Sequence, residues 1–188
     1  MAEIAHFEMA PGIQEKNFVY YSKLVKGIME IYKIPRTPVL AAEDETAIVG
    51  TVMYHQDRDE LLGFCGPKDN HKCMENNHIK VGNDRDAYDR LVNAFDKNII
   101  GKYARVILLN PLHEKIPHLV ALLMPTCNRF THHTVYHQWQ KVQNLYELHL
   151  EHELGPLIGN SSDGDSRRRK LHLQLMTCTA GDRFRPIG

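Results

Sequence analysis

The sequence predicts an α/β protein, a mixed β-sheet flanked by helices, and three observations lead there. Two continuous apolar runs, Ala104 to Leu109 and Leu119 to Met124, lie on either side of a turn bracketed by Pro111 and Pro117. They do not alternate with polar residues, which is how strands covered on both faces read. A long amphipathic stretch, Thr131 to Glu153, separates the second run from a short apolar one at 157–162. Strand, long helix, strand in that order reads as a parallel crossover, normally right-handed. The whole order is helix, strand, hairpin, helix, two strands, long helix, strand, helix. Hairpins and a crossover in one chain imply mixed strand directions.

Each element has a local cause. Residues 13–33 place Phe18, Tyr21, Val25, Ile28 and Tyr32 at helical steps of three and four. Pro35 and Pro38 then stop the helix and force an extended entry into an apolar run at 38–44. Residues 48–64 read as a hairpin, with Asp57-Arg58-Asp59 turning between two β-prone runs. The polar stretch 66–83 reads as a loop, and helical spacing returns over 84–98 through Tyr88, Leu91, Val92, Phe95 and Ile99. In the long helix, Val135, Trp139, Val142, Tyr146 and His149 form the inner stripe, and Gly155-Pro156 ends it. Residues 166–178 start a further helix, with Leu171, Leu175 and Cys178 in register.

A chain of 188 residues supports one good core with a small appendage. Its 23 basic and 23 acidic residues cancel, so no global positive field advertises nucleic-acid binding, and any such binding needs a local patch. No stretch reaches the roughly 18 apolar residues of a membrane span. The start lacks the basic and apolar regions of a signal peptide. Cys65, Cys73, Cys127 and Cys178 form no tight disulfide framework, so a reducing compartment is expected.

The chemistry begins with two carboxylates at strand ends. Asp44 closes the run Val39-Leu40-Ala41-Ala42-Glu43-Asp44, and Asp163 follows the run 157–162, with Asp165 two residues on. An unpaired carboxylate at the end of an apolar run is costly unless a cation meets it. Alternation along a strand turns Asp44 away from Glu43 and Glu45. If the two strands are adjacent and parallel, Asp44 and Asp163 converge at the carboxyl edge of the sheet, where open α/β sheets hold ligands. Oxygen ligands of this kind suit Mg²⁺ or Mn²⁺. The plainer reading of both is as turn or cap residues, which Asp also favours.

Three further groups carry chemistry. Cys65, His71, Cys73 and His78 are zinc-competent donors in a polar loop, although their spacing is not the usual paired one. Arg167, Arg168, Arg169 and Lys170 form a cationic run suited to phosphate contact or nuclear import. On a helix they fan around the axis, as a solvated helix start would. His132, His133 and His137 sit at the start of the long helix and read as surface histidines. No nucleophile elbow, Walker motif or dinucleotide glycine fingerprint occurs.

The matching features are Asp44-Glu45 after the first strand, the polar hairpin ending Leu61-Leu62-Gly63-Phe64, the strand pair 104–109 and 119–124, the long helix 131–153, and Ser162-Asp163-Gly164 after the next strand. Together they resemble the catalytic core of P-element-type transposases, a branch of the RNase H-like superfamily, over roughly residues 37–180. In that family an Asp-Glu pair follows the first strand, and a strand ending in Asp-Gly carries the second metal-binding Asp. The resemblance implies an N-terminal helical segment over 1–36 and a partial RNase H-like domain over 37–188, with an inserted loop and helix at about 66–100. It implies Asp44 and Asp163 as catalytic ligands of Mg²⁺ or Mn²⁺, with Asp165 as a substitute for the second. It also implies DNA as partner, with the basic run at its phosphates, and a nuclear location.

The family's third carboxylate lies much further along, beyond a long insertion, and no residue here takes its place. The expected function is therefore a transposase-derived domain related to metal-dependent DNA cleavage and transfer, incomplete or inactive on its own. The same residues are also consistent with a non-catalytic α/β interaction or DNA-binding scaffold, since function resides in sites rather than folds. A small zinc-binding module centred on Cys65 and Cys73 is the third reading.

Overall fold

The computed structural model describes residues 12–69, 73 and 78–162. The order of elements is α1 (Glu15–Tyr32), β1 (Val39–Ala47), β2 (Met53–His55), β3 (Glu60–Leu62), β4 (Phe64–Pro67), β5 (Ile79–Lys80), α2 (Ala87–Lys97), β6 (Asn98–Ile100), β7 (Tyr103–Pro111), β8 (Leu119–Thr126), α3 (His132–His149) and β9 (Leu157–Ser162). The protein is α/β, with a mixed principal sheet and three α-helices among the described residues.

The principal sheet has the order β8-β7-β1-β9. β7 runs antiparallel to both β1 and β8, and β9 runs parallel to β1. β8, β1 and β9 therefore share one direction, and α3 carries the chain from β8 to β9. The apolar runs 104–109 and 119–124 pair as expected, but they are not covered on both faces. β7 alternates buried and half-buried positions from Arg105 onward, and β1 starts buried, exposed, buried. The continuous apolar sequence misleads here because its outward residues, Leu40 and Leu123 among them, stay partly exposed.

The core lies between the inward face and the helices α1 and α3. Val39, Ala41, Ile107, Leu109, Ala121 and Met124 meet Phe18, Tyr21 and Val25 of α1 and Val135, Trp139, Val142 and Tyr146 of α3. Burying an aliphatic or aromatic side chain of this kind stabilises by about 1.5–3 kcal/mol, so this stripe, rather than helix propensity, holds both helices in place. Tyr32, expected on the inner stripe of α1, is exposed and stacks under Lys115, whose Nζ lies 4.5 Å from the ring centre. His149 also leaves the stripe and meets Glu15 at 2.8 Å. α3 opens on Thr131, whose hydroxyl accepts from the Thr134 amide, and the chain turns at Gly155 with φ of 146°.

Between β1 and β7 the chain builds a second, smaller body. The hairpin is shorter than 48–64: β2 pairs β3 across the 3₁₀ turn Gln56–Arg58, and β5 joins the other side of β3. Ile48 and Val49 are exposed and lie outside any strand. β4 pairs instead with β6. Leu61, Phe64, Val81 and Ala94 form a separate small core. α2 turns Ala94 inward with Leu91 beside it and sets the partly exposed Phe95 edge-on against Phe64, while Tyr88 and Val92 are exposed, so only part of its apolar stripe has a surface to cover. The helix expected over 166–178 lies outside the described residues.

Candidate metal centres

β1 sorts its three acidic residues by parity. Glu43 shares the inward side with Val39 and Ala41, and Asp44 takes the outward side. Asp44 is exposed, so it does not bear the burial cost that its place in the sequence suggested. Its Oδ1 accepts from the Glu45 amide at 2.8 Å and its Oδ2 from the Thr46 hydroxyl at 3.0 Å. A carboxylate has about four acceptor sites, so the group retains acceptor capacity toward solvent or a cation. Glu45 accepts from the Thr126 hydroxyl at 2.5 Å, which ties β1 to the end of β8.

The buried carboxylate is Glu43. It accepts from Arg105 Nε and Trp139 Nε1, both at 2.7 Å. Arg105 also donates from Nη1 to Gln138 Oε1, and its guanidinium carbon lies 5.1 Å from the centre of the Phe130 ring. Arg105 and Glu43 are 1% and 0% exposed through their side chains. This network joins β1, β7 and α3 directly behind Asp44. The signal for it was in the sequence, because Arg105 keeps the same parity as Ile107 and Leu109.

The parallel register between β1 and β9 runs to Glu43 opposite Ser162, the last described pair. Asp44 is the next residue of β1. Asp163, Asp165, Arg167, Arg168, Arg169 and Lys170 lie outside the described residues.

The cysteines come together differently from the sequence expectation. Cys65 in β4, Cys73 in the following loop and Cys127 just after β8 place their sulfurs within 4.8 Å of one another. Cys73 Sγ and Cys127 Sγ are 3.5 Å apart. Among the described residues these are the His, Cys, Asp or Glu side chains that can share one metal ion in a group of three. His78, expected as a fourth ligand, instead points Nδ1 at Glu60 Oε2, 3.1 Å away. The carboxylate of β3 therefore holds it on the small sheet. His71 lies outside the described residues.

Cys127 was missed because 54 residues separate it from Cys73 and no local spacing links them. Hydrogen bonding from Cys65, and then from the backbone amides of Cys127 and Arg129, holds the Cys73 thiol down to about 5 despite burial. Hydrogen bonding with Cys73, followed by burial, pushes the Cys65 thiol up. Burial, ahead of the bond to Cys73, also raises Cys127.

The surface histidines of α3 form no site. His132 and His133 stack with ring centres 4.1 Å apart, and His137 bonds Gln140. No family model, no curated protein and no solved structure matches this chain.

Proposed function

We propose that the chain is an RNase H-like domain of transposase ancestry, which holds Mg²⁺ or Mn²⁺ at Asp44 and Asp163 against the phosphate backbone of DNA. The observation that carries this reading is the strand order β8-β7-β1-β9, with only β7 reversed and a long helix leading into β9. With β1, β7 and β8 read as consecutive core strands, and β2 to β6 with α2 as an insertion, this order supports the reading of an RNase H-like mixed sheet. Asp44 then stands near the carboxyl end of the central strand, where a ligand meets an open α/β sheet. β9, which leads to Asp163, is its immediate parallel neighbour.

The chemistry follows from the ligand type. Carboxylate oxygens suit a hard divalent ion, and such an ion polarises a phosphoryl oxygen and lowers the pKa of a bound water. Two carboxylates supply part of a shell, and water and phosphate oxygens complete it. Asp165 is the substitute for Asp163. Arg167, Arg168, Arg169 and Lys170 supply phosphate contacts close by in sequence, with a nuclear role for the domain. Strand cleavage or transfer requires a further acid, so the function proposed is metal-assisted DNA binding.

Thermal unfolding of the full chain against Mn²⁺ tests this. A ligand of the folded state at a hundred times its dissociation constant adds about 2.7 kcal/mol, which is about 5–10 °C for a protein of this size. Asp44→Asn and Asp163→Asn should each abolish the rise. DNA affinity should increase with Mn²⁺ and fall with salt, and replacing the four basic residues by Ala should flatten the salt dependence. A folded chain whose midpoint ignores millimolar Mn²⁺ and whose DNA affinity ignores Asp44 would instead be a non-catalytic interaction scaffold.

A further inference from the structure

We infer that Cys65, Cys73 and Cys127 form a zinc site that clamps the inserted body to the edge of the principal sheet. Tetrahedral zinc with sulfur ligands at about 2.3 Å separates those sulfurs by roughly 3.8 Å. The three sulfurs here lie within 4.8 Å of one another, with one pair at 3.5 Å, so the triangle already brackets the size of a zinc face. Small side-chain rotations complete it.

Three features go beyond proximity. The ligands come from three separate places, β4, the loop after it, and the end of β8, and all three pack against the main core. The turn that presents Cys127 is fixed by its own backbone. Asn128 sits in the left-handed region at φ 59°, and its amide donates to Thr126 Oγ1 at 3.0 Å. The cluster also sits where two bodies with separate hydrophobic cores meet. A tie there constrains far more of the chain than a tie within either body.

The ligand set selects the ion. Soft thiolates favour zinc, Cu(I) and iron–sulfur clusters, and the last are held by four cysteines. A fourth donor from solvent closes the zinc tetrahedron. Binding displaces protons from the thiols to solvent, so affinity rises with pH. A Cys73–Cys127 disulfide is the rival, but it needs sulfurs at about 2.05 Å and leaves Cys65 without a role. This site shares no residue with the Asp44 site, so either can fail alone.

The test uses the full chain purified under reducing conditions. The expected result is one zinc per chain by elemental analysis. Replacement with Co²⁺ should give sulfur-to-cobalt charge-transfer absorption and the visible bands of a tetrahedral ion. Outer-shell changes alone cost 10–100-fold in metal affinity, so Cys65→Ser, Cys73→Ser and Cys127→Ser should each weaken zinc retention against a chelator by more than about tenfold. Cys178→Ser should leave it unchanged. Zinc removal should speed amide exchange in β4 and at the end of β8 while sparing α1. Should the serine variants fold poorly, the cobalt spectrum of the unmodified chain decides alone. Failure to take up zinc or cobalt, copper in its place, a native Cys73–Cys127 disulfide, or undiminished zinc retention in Cys127→Ser would each overturn the site.

Discussion

Replacing Glu43 by Gln probes the charge buried behind Asp44. Gln has nearly the shape of Glu, so packing is kept. The carboxylate, however, now accepts two hydrogen bonds at 2.7 Å, from Arg105 Nε and Trp139 Nε1. An amide offers one oxygen, and its NH₂ must face one of those two N–H donors. The Arg105 guanidinium, 1% exposed, also loses its counter-charge and retains Gln138 and the Phe130 ring. Breaking a buried pair on one side costs about 3–5 kcal/mol, because the remaining charge stays buried without compensation. For a chain of 188 residues that is about 6–20 °C in Tm, and roughly a fifth or more of a domain total of about 5–15 kcal/mol. Urea unfolding followed by tryptophan fluorescence is well placed to read it, since the only tryptophan, Trp139, belongs to the network. Glu43→Leu and Arg105→Met should each cost a similar amount. Their combination should recover most of the loss, because no buried charge then remains. Loss below about 1 kcal/mol for Glu43→Gln, or single losses that simply add in the double variant, would refute the reasoning.

Other consequences follow from single contacts. Tyr21 and Tyr146 donate to the carbonyls of Pro117 and Gly155 at 2.5 and 2.6 Å. Burial foremost raises both phenols well above their ordinary value of about 10. A pKa raised in the folded state leaves stability intact below pH 10 and erodes it as the pH climbs above that, so denaturation midpoints should fall steeply there. Tyr21→Phe and Tyr146→Phe should each flatten that alkaline slope and cost about 1 kcal/mol at neutral pH; an unchanged slope in both variants would contradict this. Thr131→Ala removes the cap on the Thr134 amide and should cost about 1 kcal/mol, while Thr131→Asn should not, as measured by chemical denaturation. Gly155→Ala forces a side chain into φ 146° with its Cβ 2.8 Å from the Thr37 carbonyl. Strain of roughly 1–3 kcal/mol should appear in Tm, and a neutral result would rule it out. Asp44→Ala, on an exposed site, should change metal-free stability by less than about 0.5 kcal/mol, which separates ligand loss from unfolding in the Mn²⁺ experiment.

The parts of this fold legible in the sequence are those written by local pattern. The stripe Val135, Trp139, Val142 and Tyr146 named the buried face of α3 because one helix repeats itself every three or four residues. The strand pair β7 and β8 was equally plain, and so was the crossover into β9. What the sequence concealed depends on partners distant in the chain. The β4–β6 pairing joins segments on either side of α2, and Phe64, placed by the sequence at the close of a hairpin, begins a strand elsewhere. Helical spacing through Tyr88, Val92 and Phe95 located α2 correctly but misjudged its depth, because the small core beneath it takes in Ala87, Leu91 and Ala94 and only an edge of Phe95 against Phe64, leaving Tyr88 and Val92 exposed. Cys127 is the sharpest case: as a single residue after a strand it carries no motif, and only the fold brings it to Cys65 and Cys73.

The same parity rule links the best-buried charge among the described residues to the candidate metal ligand. Adjacent strand residues point to opposite faces, so fixing Glu43 on the inner face fixes where Asp44 stands on the outer one. Glu43 is held by Arg105 of β7 and Trp139 of α3, and Glu45 on its other side by Thr126 at the end of β8. The short carboxylate of Asp44 is therefore carried on a backbone pinned from both neighbours. A ligand presented in a set position loses little freedom when it binds. A buried ion pair is weak evidence for stability, since well-packed apolar residues often do as well. Its retention at this position is better accounted for by the constraint it places on β1. On that account Glu43→Leu/Arg105→Met restores Tm but loosens the strand end. Its Mn²⁺-dependent midpoint rise should then be smaller than that of the unmodified chain, and an equal rise would mean that the network serves the core alone.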